Sequence, residues 1–462
     1  MKTVIWWIRR DLRLQDNQAL AHALAYASSV IPLFIMDPQL LKREAPARKS
    51  FLFSALDSLN TDLLLRGSRL ILREGDPLLE LQKIYEESNA EKIFAEADFS
   101  PYAKIRDSKA AAALPCEFVS ALTIHPPSSV RKQDGSPYTV FTPYMNAWKS
   151  LPESGSPIQA PIQFSSVVPL NSLKLPSEAP LRHFPASEFE ARIRLDDFLS
   201  TCLYSYNKDR NRMDLRGTSE LSPYLRFGLI SARTIYFYNR EFVNHSENSD
   251  DRISAVTWLN ELIWREFYYS ILDNFPFVLN RAFRESFSQI PWRNSIQELE
   301  AWKNGLTGFP VVDAGMRQLR ETGWMHNRAR MITASFLTKD LLINWQEGEK
   351  WFMEELIDGD PASNNGGWQW SAGTGTDAAP YFRIFNPVLQ GKKFDPIGNY
   401  VRRWVPELTV VPKKYIHCPW EMPLDLQSRV NILVGKSYPR PIVNHIEARE
   451  RTLAAYKISR YL

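Results

Sequence analysis

Apolar residues cluster differently in the two parts of the chain. In the first 125 residues they form short continuous runs at 4–8, 30–36, 69–73, 92–95 and 117–120. Runs of this length bounded by polar residues predict strands. Helical spacing fills the intervals. Leu52, Leu56, Leu59 and Leu63, for example, recur at i, i+4, i+7 and i+11 and mark one helix face. Strands alternating with helices predict βαβ units, hence an α/β domain with a parallel, Rossmann-like sheet over 1–125. No GxGxxG follows the first strand, so the dinucleotide-binding fingerprint is missing. Residues 126–190 break the pattern with Pro126, Pro127, Pro152, Pro157 and Pro161 among many serines. They read as an interdomain linker with one short helix near 144–150. From 191 to 462 the apolar spacing is three and four residues throughout, clearest over 253–275, 310–343 and 347–357. That predicts an all-α domain.

Composition narrows the function classes. Three cysteines, Cys116, Cys202 and Cys418, lie far apart with no CxxC spacing, which argues against a disulfide framework or a structural zinc site. No apolar run reaches the length of a membrane span, and the stretch 4–8 is too short for a signal-peptide core. A cytoplasmic location is expected. The net charge is +4, and its distribution is uneven. Residues 1–200 hold 23 Lys/Arg against 23 Asp/Glu, whereas 201–462 hold 33 against 29. Any basic face therefore belongs to the second part. Eleven of the fourteen tryptophans also lie there. Each alone reads as core packing, but together they raise the expectation of a stacking surface or an electron path.

Four segments carry candidate chemistry. Gly217-Thr218-Ser219-Glu220-Leu221-Ser222-Pro223 precedes a helical run, so its hydroxyls either cap that helix or leave backbone N–H groups free for phosphate. In 258–268, Glu261, Trp264, Arg265 and Tyr268 share one helix face. That face suits either a planar polar ligand or a solvated surface with a Glu261–Arg265 pair. In 323–331, Asn327, Arg330 and Met331 share a face, while His326 has no metal partner at useful spacing. In 358–370, Asp358, Gly359, Asp360, Asn364, Trp368 and Trp370 crowd one short stretch. Gly366-Gly367 predicts either irregular backbone there or close approach to something. A Ca²⁺ loop is set aside, because the later ligands and closing Glu are missing. Physical reasoning thus reaches a helical domain with a cationic, Trp-rich pocket and stops before naming a ligand.

These four segments closely resemble the photolyase/cryptochrome family, specifically its class I cyclobutane pyrimidine dimer photolyases. The likeness starts at Trp-Trp-Ile-Arg-Arg-Asp-Leu-Arg-Leu-Gln-Asp-Asn near the N-terminus, runs to about residue 420 and is densest over 253–405. Gly-Trp-Met-His-Asn-Arg followed by Asn-Asn-Gly-Gly-Trp-Gln-Trp is highly specific. The resemblance implies an antenna-chromophore domain, then a helical FAD- and DNA-binding domain holding one FAD in a bent form. Tyr206 and the turn Thr218, Ser219, Glu220, Leu221 and Ser222 would lie at its phosphates. Arg330 and Asp358 would pair beside the isoalloxazine, with Gly359 and Asp360 near the ring imide and Asn364 facing N5. Glu261 and Asn327 would contact the dimer, and Trp264 and Trp370 would flank it. Arg210, Arg265, Arg328, Met331, Gln390 and Lys393 would complete the DNA contacts. Trp292, Trp345 and Trp368 would pass electrons from the surface to the flavin.

The implied partner is DNA containing pyrimidine dimers, bound by a monomer. The implied reaction is a carbon–carbon lyase reaction: a dimer flipped from the duplex receives an electron from photoexcited reduced FAD, and its ring opens. Histidines that (6-4) photolyases carry near 327 and 331 do not stand at those positions. Asn364 favours repair over cryptochrome-like blue-light signalling, whose members usually add a C-terminal extension. This chain ends about forty residues past the matched region, at Leu462. A plain flavin oxidoreductase would want a nicotinamide fingerprint. For a second, antenna chromophore, Tyr102-Ala103 replaces the Asn-Glu pair of folate-binding relatives. The segment 97–102 resembles deazaflavin-binding ones, so deazaflavin or flavin is expected rather than folate.

Overall fold

A strand covered on both faces needs a nearly unbroken apolar run, and the first domain supplies five runs, the inner ones nearly unbroken and the two edge ones interrupted by charged residues. In the structure, a computed structural model that describes residues 2–42, 44–164 and 169–459, they form β1 (Thr3–Ile8), β2 (Ser29–Met36), β3 (Ile71–Glu74), β4 (Lys92–Glu96) and β5 (Cys116–Val119). All neighbours pair in parallel, in the order β3-β2-β1-β4-β5. The register sets Val4 against both Val30 and Lys92. β1 and β2 are buried along their whole length. Pro32 precedes the part of β2 that pairs with β3, which begins at Leu33, so no ladder bond to β3 is asked of it.

The helices between strands start where proline and a short polar side chain coincide. Asp76 caps Pro77–Ser88, and Ser100 caps Pro101–Ala113. This order is doubly wound, and the winding reverses between β1 and β4. Charge fills that reversal point. Arg9 donates to both Asp107 oxygens at 2.6 Å and to the Glu96 carbonyl. Arg13 pairs with Glu96 at 2.7 Å, both groups buried.

After β5, the only β pairings among the described residues are two isolated bridges, and helices account for the rest of the regular structure. No helix among them is long and apolar enough to cross a membrane. Compactness divides the chain elsewhere than the change from strand to helix at 125 and 190 suggests. One unit comprises Met1–Asn207 with Ser219–Pro276, the other Lys208–Thr218 with Phe277–Leu462. The regular structure of 188–207 and 219–276 thus belongs with the sheet. The expected linker is also partly ordered onto that unit. Its helix Phe141–Lys149 lies along Ser249–Asn274, because Tyr144 and Trp148 are apolar faces needing cover. In the second unit one large apolar cluster spans Trp302, Val312, Leu337, Trp345, Trp368 and Val401.

Candidate functional site

In the first unit, the 26-residue helix Ser249–Asn274 carries the expected aromatic face. Asn248 caps it, with Asp250 and Asp251 in its first turn. Glu261 and Trp264 are both half-buried, and Trp264 lies 5.5 Å from Tyr268, ring to ring. Arg265 departs from the expected face. Its guanidinium donates to the Leu122 carbonyl at 2.9 Å and lies 4.8 Å over the ring of Tyr269. It lines a small cleft with Arg10, Arg13 and Glu96.

Glu266, which the sequence reading passed over, is the acid this helix buries. Its carboxylate accepts from the amides of Ile124 and His125 and from the Trp148 indole. Burial nevertheless pushes it up to about 7. Its place between Ile263, Phe267 and Ser270, all buried, was the available signal.

Tyr206 is buried edge-on to Phe198, with ring centroids 5.7 Å apart. Of the 218–222 turn, Glu220 takes a left-handed φ of +51° and pairs with Arg194 at 3.1 Å. Leu221, not a hydroxyl residue, occupies the N-cap of Ser222–Phe227, and no side chain caps that helix. The expected hydroxyl cap is therefore absent. Ser219 and Thr218 are half-buried and Ser222 is exposed.

In the second unit, Arg330 grips Asp358 with both guanidinium ends, at 3.1 and 2.8 Å, and spends its Nε on the Met325 carbonyl. Such a two-point pair fixes plane as well as distance. Asp358 is buried while the Arg330 side chain stays a quarter exposed, so the pair is partly shielded from water. Two residues on, Asp360 caps Pro361–Ala372, its Oδ1 accepting from Ala362 and Ser363 at 2.9 and 3.2 Å. That cap and Pro361 at the first turn start a regular helix, which runs through Gly366 and Gly367. The irregular backbone expected there is overturned: the glycines are simply helical. Gly359 precedes the cap, its amide bonded to Leu356.

Asn364, in the first turn of this helix, donates its amide to the Glu349 carbonyl at 3.0 Å, which leaves Oδ1 as the side facing elsewhere. Trp368 is buried one turn later, its ring against Gly348 and edge-on to Trp302 and Phe352 at 6.0 and 4.9 Å. Its indole N–H is buried without a hydrogen-bond partner. Trp345 starts the helix Trp345–Glu355 that also holds Gly348. Trp292 packs against the same cluster and edge-on to Tyr456 at 6.0 Å. Trp370 is half-buried.

The helix Asn327–Ser335 begins at an exposed Asn327, whose amide approaches the Met331 sulfur at 4.0 Å. His326 caps that helix: its Nδ1 accepts from the Arg328 amide at 3.1 Å, and burial pushes it down to about 4. It is a neutral structural cap. Arg328 donates to Asn211 at 3.2 and 2.6 Å and lies 4.4 Å over Phe394. Lys393, exposed, approaches the same ring, while Gln390 and Arg210 are half-buried.

Comparison with known proteins accounts for this arrangement. Residues 4–162 match the family model described as DNA photolyase, and 258–458 match the FAD binding domain of DNA photolyase. The likeness thus extends past residue 420. Curated relatives include the deoxyribodipyrimidine photo-lyases of Agrobacterium fabrum, 40% identical over 98% of this chain and 97% of theirs, and of Escherichia coli, 41% identical over 100% and 99%. Among solved structures, a bacterial class III photolyase from Agrobacterium tumefaciens superposes with a TM-score of 0.94 at 39% identity, covering 100% of this chain and 98% of that one. A Synechocystis cryptochrome gives 0.90 at 28%, covering 98% and 99%. An archaeal photolyase from Sulfolobus tokodaii with two FAD molecules gives 0.84 at 31%, covering 99% and 100%.

Proposed function

The chain belongs to the DNA photolyase family, and on that premise we propose that it repairs cyclobutane pyrimidine dimers in DNA with light and one bound FAD. The observation that carries this reading is the buried Arg330–Asp358 pair set just before the capped helix that bears Asn364. A flavin ring needs polar groups held in a fixed plane, and this donor set fits it. Arg330, Asp358, Gly359 and Asp360 would hold the isoalloxazine edge, and Asn364, whose amide N–H is held by the Glu349 carbonyl, would face N5. Tyr206, Thr218, Ser219, Glu220, Leu221 and Ser222 serve its phosphates.

Reduced FAD, when bound and excited, supplies the electron that opens the cyclobutane ring. The chain positions the substrate. Glu261 and Asn327 hydrogen-bond the flipped dimer, and Glu261, when protonated, donates to it and stabilises the negative charge that develops there. Trp264 and Trp370 stack beside it. Met331 and Gln390 line its path, and Arg210, Arg328 and Lys393 hold phosphates, adding affinity without sequence reading. Arg265, half-buried and held to the Leu122 carbonyl through one Nη, is the remaining DNA contact. Trp292, Trp345 and Trp368 deliver electrons that reduce the flavin.

A second chromophore, if present, is a flavin or deazaflavin. Arg106 lies over the half-buried ring of Tyr102 at 5.8 Å, within the region whose 97–102 segment resembles deazaflavin-binding relatives. The two-FAD archaeal structure favours this over folate.

The test is a light-dependent repair assay on oligonucleotides carrying a single cyclobutane dimer or a single (6-4) product. The expectation is repair of the first only, in light only, with FAD released on denaturation. Repair of neither, with FAD bound, would move the protein to the signalling class that the cryptochrome likeness represents.

A further inference from the structure

Phe141 opens the helix Phe141–Lys149, and its ring lies flat on the indole of Trp264, with centroids 3.7 Å apart and planes 6° from parallel. Aromatic pairs in proteins favour offset or edge-on contact, so a near-coplanar stack is one that its surroundings enforce. Here the enforcing contacts are plain. Phe267 meets Phe141 edge-on at 5.9 Å and Tyr144 at 5.2 Å. Glu266 anchors Ile124, His125 and Trp148, and Lys149 donates to Asn260 at 2.9 Å. Farther along, Arg131 donates to Asn274 at 2.7 Å. Residues 124–149 are thereby strapped along the helix that presents Trp264. Phe141 is 8% exposed, whereas Trp264 stays half-buried.

We infer that Phe141 is a positioning residue for substrate: it backs one face of the Trp264 indole and holds the plane against which the dimer stacks. The inference rests on the reading that Trp264 flanks the dimer. An indole on a helix surface can swing about its side-chain torsions, and a base that stacks on it must first stop that motion. A phenyl ring pressed on the far face removes the swing beforehand. Stacking then costs less order and discriminates the extruded dimer from undamaged DNA, which is held by phosphate contacts that do not involve the ring.

The experiment uses FAD-loaded protein and four variants: Phe141→Ala, Phe141→Leu, Phe141→Tyr and Trp264→Ala. Each is assayed for binding to a dimer-containing single strand, for binding to an undamaged duplex at the same salt, and for repair per absorbed photon of bound dimer. Phe141→Ala is expected to weaken dimer binding about tenfold while undamaged-duplex affinity and repair per bound dimer stay at the wild-type values. Phe141→Leu keeps most of the volume and loses only the plane, so it should weaken dimer binding in the same direction in a normally folded protein. Phe141→Tyr restores the plane and should restore binding. Wild-type dimer affinity in Phe141→Leu, or equal losses on both DNAs, would overturn the inference. If Trp264→Ala itself keeps wild-type discrimination, the reading of Trp264 fails first. If Trp264→Ala loses discrimination and Phe141→Leu does not, Phe141 alone is displaced from the role.

Discussion

The indole nitrogen of Trp148 donates to the carboxylate of Glu266 at 2.6 Å, across 118 residues of sequence, and both groups are buried. The same carboxylate accepts the amides of Ile124 and His125, so one acid ties the segment after the sheet to the helix that carries Glu261 and Trp264.

That acid makes stability depend on pH. An unfolded Glu266 ionises near 4.5, and burial pushes the folded one up to about 7. Between those values the folded chain holds the extra proton, so the stability from this group is present below about 4.5 and is lost as pH rises through about 7. Glu266→Gln cannot ionise. The stability of the wild type relative to this variant should therefore fall by about 2 to 3 kcal/mol between pH 5 and 8. Thermal melts of both proteins across that range check it, and parallel pH profiles would contradict it.

Asp358→Asn should empty the flavin site. The substitution leaves Arg330 with the Met325 carbonyl and without its carboxylate. Losing one partner of a buried pair leaves a charge uncompensated, and because Arg330 is a quarter exposed the cost should be about 2 kcal/mol, below the fully buried range. The measure is the FAD-to-protein absorbance ratio beside the melting temperature. Full FAD content in the variant would remove Asp358 from the ring's edge.

Trp368→Phe separates electron supply from repair. Trp368 is buried against Gly348, Phe352 and Trp302, and a phenyl ring keeps most of that packing. Illumination should no longer reduce oxidised FAD in the variant, while chemically reduced protein should still repair dimers. Undiminished photoreduction would take Trp368 out of the path, and absent repair with reduced flavin would make it structural.

Binding to undamaged duplex should weaken with salt, at a log–log slope of about −3 to −5 for roughly four to six phosphate contacts. The surplus of basic over acidic residues lies wholly in 201–462, where exposed Lys393 stands. Titrations at several salt concentrations give the slope directly, and a value near zero would leave no phosphate clamp.

The inner strands β1, β2 and β4 were legible because a parallel strand covered on both faces must be apolar almost without interruption, and the edge strands β3 and β5 from the shorter apolar pairs Ile71-Leu72 and Phe118-Val119. The helix of Glu261 and Trp264 was legible from spacing, and the family from a resemblance that local motifs carry. Tertiary structure alone decided the rest. Gly366 and Gly367 read as a break, yet the cap at Asp360 and the packing of Trp368 hold them in a helix. Arg265 shares a helix with Glu261 in sequence, yet it spends its guanidinium on a carbonyl 143 residues away. Residues 126–149 read as linker, because the acid and the indole that bind this stretch lie more than a hundred positions downstream. Periodicity reports which face of an element is apolar. What that face meets is set by chain closure over long separations, and neither spacing nor propensity encodes it.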